Sequence, residues 1–345
     1  MLWRVNGKFL FCVCLLPALL LAGCVTPSSH DVPVSAKPVV LSPSLQDKIL
    51  ALDPEHVTDT DIRETLASAP APQVINIHGG IFPVYLVMVS FSKFLAGMGY
   101  PEASAKLPDG SSSFSCYDSA GRIAGVAAWY YERTGLRPMI VGHSQGGMQA
   151  VKVLHYLAGH FTPKIPVWNP LTQHEENRVE FVDPRTGRKR PVVGLSLSYA
   201  TAVGAGGLTR ALPNQWDLAD KLRRIPDSAE EFTGFYLGLD LFGGDALGFG
   251  AANRYRAEGK AAVRNVQLPT AYHHSTVPCT KHLSENQQVK DWINHYTPSD
   301  APEFDGHFTA DTDNILWGAD VWHSIKKHWV LELQNLIRAQ RGQTP

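Results

Sequence analysis

Ser144 stands between Gly142 and Gly146 in "GHSQGG", directly after the apolar run Met139, Ile140 and Val141. Met148, Val151, Leu154 and Ala158 follow at helical spacing, and Gly159 supplies a stop. The serine is therefore expected on a tight strand-to-helix turn, where bulky side chains two residues before and after it would collide. Such a turn lifts a hydroxyl above a sheet edge and aims the free N–H groups of a helix start at developing negative charge. The chemistry implied is nucleophilic attack on an acyl carbon. The longer glycine patterns of nucleotide-binding turns are absent from the chain.

A serine hydroxyl needs a base to take its proton, normally a histidine oriented by a carboxylate. Two carboxylates compete for the second role. Asp240 ends the apolar run "TGFYLGLD", and Asp245 follows two glycines. Three histidines compete for the first: His273 and His274 in the loop after "VRNVQLP", and His323 in the helical pattern "WGADVWHSIKKHW". His78 and His143 flank glycines and read as packed, hydrogen-bonded core histidines.

The elements that must hold these groups alternate. A strand is expected over 74–77 in "PQVINIHGG", and then a helix with Pro83 in its first turn over "IFPVYLVMVSFSKFLAGMG". Ser90, Ser92 and Lys93 interrupt that apolar stretch, which favours a buried helix over a membrane span. An amphipathic helix over "DSAGRIAGVAAWYYERTG" leads to the strand before Ser144, and further strands are expected in "PVVGLSLSYATAV", "TGFYLGLD" and 263–268. This order implies an α/β fold, with a mostly parallel sheet covered by helices on both faces.

With its GHSQGG elbow and upstream HGG, the chain over residues 70–296 resembles bacterial lipases and esterases of the α/β-hydrolase fold. The resemblance implies the chain order Ser144, Asp240, His274, and an oxyanion hole from the backbone amides of Gly80 and Gln145. It implies a carboxylic-ester hydrolase that works through an acyl-enzyme on Ser144 and requires no metal or organic cofactor. A phospholipase, polyester depolymerase, thioesterase or amidase would use the same residues, and a non-catalytic envelope scaffold could keep the same shape. The glycine- and aromatic-rich "GFYLGLDLFGGDALGFG" suggests an apolar acyl or aryl pocket for the substrate.

An insertion is expected at about residues 160–231. Within it, Asp183, Pro184 and Gly187 mark a hairpin whose solvated tip is Arg188-Lys189-Arg190. Trp216, Leu218, Leu222 and Ile225 would line one side of a lid-like helix. Ser284 reads as the cap of a helix over "SENQQVKDWINHY". Residues 297–345 form a C-terminal extension packed on the same domain, and the aspartates of "DGHFTADTDN" lack calcium-loop spacing.

Arg4 and Lys8 precede an apolar run ending in Leu21-Ala22-Gly23-Cys24, which reads as a signal peptide over residues 1–23. That ending resembles the lipobox of bacterial lipoproteins, in which the cysteine is lipidated. Val25 after Cys24, rather than Asp, matches the sorting pattern for the outer membrane of the cell envelope. Residues 24–69 then serve as a tether and a polar preface. The whole chain carries 31 basic and 32 acidic residues, a balance that gives no basis for binding nucleic acid. No feature of the chain identifies a protein partner. Beyond Cys24 only Cys116 and Cys279 remain, a pair that an oxidising compartment could join as one disulfide.

Overall fold

Helix α1 (Pro43–Leu50) starts where the Ser42 hydroxyl accepts the Leu45 N–H and Pro43 occupies the first turn, while α2 (Asp59–Glu64) starts on a reciprocal capping box between Thr58 and Asp61. In the computed structural model of the protein, residues 40–80, 82–206, 213–238, 240, 242–243 and 254–343 are described. The leader 1–23, Cys24, the tether to residue 39 and Asp245 lie outside the described residues. All described residues belong to one compact unit, Ala36–Pro345.

Apolar and β-branched runs build β1 (Val74–His78), then α3 (Phe82–Gly97), the short β2 (Phe114–Ser115) and α4 (Ala120–Thr134). Strand β3 (Met139–His143) leads into α5 (Gln145–Leu157), followed by β4 (Leu197–Val203), β5 (Ala229–Leu237) and β6 (Ala262–Leu268). Helices α6 (Gln287–Asn294) and α7 (Ile315–Gln340) close the chain. The six strands form one parallel sheet in the order β6-β5-β4-β3-β1-β2. The protein is thus α/β, with a parallel central sheet and helices. Strand order reverses between β1 and β3, the topological position at whose carboxyl ends parallel α/β sheets generally receive ligands.

The pleat sends alternate residues to opposite faces. Val74, Met139 and Val141 join a core with α1, α3 and α7, whereas Ile75, Ile77 and Ile140 join a second core with α4 and α5. Among the described residues no helix is long and apolar enough to cross a membrane, α3 included.

Several expectations change. The insertion is not continuous from 160 to 231, because β4 lies inside that range and is buried at every position between β3 and β5. Two antiparallel hairpins in that range stand apart from the sheet, Trp168–Asn169 with His174–Glu175 and the expected Glu180–Val182 with Lys189–Pro191. Lys189 and Arg190 lie within a strand of the second rather than at its tip, and Arg190 pairs with Asp183 at 3.1 Å. Leu218, Leu222 and Ile225 are buried in the α4–α5 core, whereas Trp216 is 63% exposed. The segment Pro213–Leu218 is a 3-10 turn, and Trp216 and Leu218, two residues apart, fall on opposite sides of a helix of either winding, so they do not share a face. Helix α6 is capped by Asn286, which accepts the Gln288 and Val289 N–H groups, while the Ser284 hydroxyl donates to the Lys281 carbonyl.

The C-terminal extension is core material. Trp317, Trp322 and Trp329 of α7 are fully buried, and the preface docks on the same helix: Gln334 donates to the carbonyls of Ile49 and Leu52, and Lys326 to that of Val57. Finally, Cys116 and Cys279 are both free thiols and do not form a disulfide.

Candidate active site

Ser144 sits at φ 57° and ψ −127°, a left-handed conformation that costs a non-glycine residue on the order of 1–3 kcal/mol. The strain persists because both sides of the turn are fixed. Ser144 N–H donates to the Val203 carbonyl at 2.9 Å, and the Ser144 carbonyl accepts from Gly147 N–H at 2.9 Å. Glycine is required at 146, where a Cβ would stand 2.2 Å from the Ile77 carbonyl oxygen. The elbow is thereby wedged directly against β1.

The structure brings together three of the groups singled out from sequence. Ser144 Oγ–H donates to His274 Nε2 at 2.8 Å, and His274 Nδ1–H donates to Asp240 Oδ2 at 2.8 Å. One neutral tautomer of His274 satisfies both contacts. Asp240 follows β5 and His274 follows β6, so all three groups stand beyond the carboxyl ends of parallel strands. Asp240 is buried, and its second oxygen accepts the Gly243 N–H at 2.7 Å, which leaves Oδ2 aimed at the imidazole.

Gly79 and Gly80 lie against the elbow: a Cβ on Gly79 would meet Ser144 Cβ at 2.9 Å, and one on Gly80 would meet Gln145 Oε1 at 2.5 Å. Gln145 opens α5, and helix geometry leaves first-turn amides without intrahelical acceptors. Gly80 and Gln145 are thus neighbours on one side of Ser144.

The remaining histidines are placed elsewhere. His323 lies on α7, with Nε2–H donating to the Glu55 carbonyl at 3.1 Å, and burial lowers its pKa. His273 precedes His274 in the chain, and its carbonyl accepts the Thr276 N–H at 3.0 Å. His78 is half-buried, and its Nδ1–H donates to the Gly79 carbonyl at 2.7 Å.

Sequence reasoning missed how His274 is supported. His143 is fully buried, and its Nε2–H donates to the His274 carbonyl at 2.6 Å. Burial pushes its pKa down to about 3, with the neighbouring His274 acting in the same direction, so the ring stays neutral. Gly204, at φ 60°, follows β4 and leaves room for the pair, since a Cβ there would stand 2.9 Å from His274 Nδ1. Its only signal was membership of the glycine-rich "VGAGG" after an expected strand. Two exposed aromatics adjoin the site: Phe242 lies 5.6 Å ring to ring from His274, and Tyr117 Oη–H donates to the Gly80 carbonyl at 3.5 Å.

No protein-family model matches the chain, and no curated protein is significantly similar to it.

Proposed function

We propose that the protein is a serine carboxylic-ester hydrolase of the α/β-hydrolase fold, held in the bacterial cell envelope by a lipid on Cys24, with the outer membrane as its site. The observation that carries the enzymatic reading is the unbroken line Ser144–His274–Asp240, with 2.8 Å at each contact. Positioning a nucleophile, a base and an orienting carboxylate within hydrogen-bond reach is the requirement for nucleophilic acyl transfer.

In this reading Ser144 Oγ bonds to the ester carbonyl carbon while its proton passes to His274 Nε2. The carbonyl oxygen takes the negative charge and is met by the amides of Gly80 and Gln145. Collapse of the tetrahedral adduct breaks the bond to the alcohol oxygen, which takes the proton from His274. Water then attacks the acyl-serine, His274 accepts a water proton, and carboxylic acid leaves as Ser144 recovers its hydrogen. Throughout, buried Asp240 fixes the His274 tautomer and stabilises the transient imidazolium. These steps use side chains, the two backbone amides and water.

Exposed Tyr117 and Phe242 beside the serine support an apolar acyl or aryl group on the substrate. A lid draws less support, because Leu218, Leu222 and Ile225 anchor the later part of that segment in the core. The test is covalent labelling of the full chain by a fluorophosphonate, followed by turnover of esters of graded acyl length. Ser144→Ala should eliminate labelling and lower turnover by roughly 10⁴-fold or more. Equal labelling of wild type and Ser144→Ala would refute the proposal.

A further inference from the structure

We propose that His155, His160 and Glu258 bind one divalent metal ion of the zinc class, at a site separate from Ser144. One nitrogen of each imidazole and one carboxylate oxygen converge so that all three atoms lie within 4.8 Å of one another. His155 is fully buried in the last turn of α5, and its Nε2–H donates to the carbonyls of Lys221 at 3.1 Å and Arg224 at 3.0 Å. Those two acceptors fix the tautomer, leaving the His155 Nδ1 lone pair as a ligand. This is how backbone carbonyls orient metal-binding histidines in general.

That lone pair faces His160 Nδ1 at 2.8 Å, and His160 Nδ1 lies 3.9 Å from Glu258 Oε2. Two imidazoles and a carboxylate suit zinc, with metal–ligand bonds of about 2.0–2.2 Å. Tetrahedral geometry at such bond lengths separates two nitrogens by about 3.3 Å. Metal entry therefore opens the present His–His contact by about half an ångström, which rotation of the part-exposed His160 side chain provides. The proton now shared between the two Nδ1 atoms moves to His160 Nε2, so neutral imidazoles bind without net proton release.

A fourth position opens onto a cavity of about 350 Å³ that both His160 and Glu258 line, where water completes the shell. Asp227 lines the same cavity, but its Oδ1 already accepts the N–H groups of Lys260 and Ala261, which fixes the turn carrying Glu258. The eleven residue steps from Ser144 to His155 correspond to ~16 Å of helix, so the ion has no part in acyl transfer. It would instead tie the end of α5 to the parallel pair Arg224–Ile225 and Arg256–Ala257.

The test is titration of untagged, chelator-treated full chain with Co²⁺, whose visible absorption reports tetrahedral ligation, and then displacement by Zn²⁺. Expected are one ion per chain and a rise in thermal midpoint of ~4 °C at a metal concentration a hundredfold above Kd. His160→Ala and Glu258→Gln, both at part-exposed positions, should each weaken binding at least ~10-fold while leaving the far-UV circular dichroism unchanged. Failure of the wild type to bind one Co²⁺ per chain, or wild-type affinity in both variants, would overturn the proposal.

Discussion

His143 donates its Nε2–H to the main-chain carbonyl of His274 at 2.6 Å, so the residue preceding Ser144 grips the loop that carries His274. The turn at Ser144 and His274 are thus locked to each other by two contacts, one through Ser144 Oγ and one through this backbone bond. Removing the second should loosen the imidazole without removing any group that reacts. His143→Ala is expected to lower kcat on an ester by about 10–100-fold with little change in KM, since a misplacement of about 1 Å costs on this scale. His143→Gln, which keeps a donor in the ring's place, should recover part of the loss. Because His143 stays neutral at ordinary pH, neither variant should shift the pH profile of kcat. Steady-state kinetics across pH, with a cavity-bearing control elsewhere in the core, separates this positioning role from general destabilisation.

Of the three histidine candidates, His274 and His323 make opposite demands on mutagenesis. His274 stands 2.8 Å from Ser144, whereas His323 is spent on the Glu55 carbonyl between α7 and the preface. His274→Ala should therefore reduce ester turnover by roughly 10⁴-fold while leaving the melting temperature nearly unchanged. His323→Ala should keep turnover within a few fold of wild type and lower stability by about 1 kcal/mol, the scale of one lost hydrogen bond. The reverse pattern of activities would remove His274 from the mechanism.

How much of this was legible in the sequence depended on whether the signal was local. The turn at Ser144 is specified by its own glycines and by apolar periodicity on either side, and β5 and β6 end just ahead of Asp240 and His274. The role of α7 was not legible, because apolar residues at helical spacing look alike in a surface-packed extension and in a core helix. Only the contacts of Trp317, Trp322 and Trp329 with distant segments distinguish them. Expecting Trp216 on the same side as Leu218 overlooked that residues two apart do not share a face of a helix, and Trp216 is exposed where Leu218 is buried. His155 and His160 are five residues apart across a helix end, and their third partner, Glu258, lies about a hundred residues later. Nothing local joins them.

Cys24 lies outside the described residues, so the lipid anchor rests on the sequence around it. Cys24→Ser should abolish incorporation of labelled palmitate and shift the protein from the membrane fraction, or leave it with its signal uncut. The protein's near-balanced charge offers the bilayer little else to hold. Equal palmitate incorporation in wild type and variant would rule out the lipobox.

Lys326 gives the fold a pH dependence of its own. Its ammonium is buried, donates to the carbonyls of Val57 at 2.7 Å and Asn294 at 3.4 Å, and has its pKa pushed down to about 8 by burial, against the weaker pull of Asp59 and Asp61. A lysine whose folded pKa lies below its unfolded value of about 10.4 binds fewer protons when folded in the interval between the two. Below pH 8 both states are charged, and the burial penalty is present in full. As pH rises from 8 towards 10.4 the folded state sheds its proton first, so this group's contribution makes the protein more stable, by on the order of 3 kcal/mol across the interval. Lys326→Met should remove that rise, while the Lys326 carbonyl partners, left unsatisfied, cost about 1–3 kcal/mol at every pH. Urea denaturation at half-unit steps from pH 7 to about 10.5, with wild type and Lys326→Met compared at each pH, isolates the term. A difference between the two proteins that does not change across the interval would show that Lys326 titrates as an ordinary lysine.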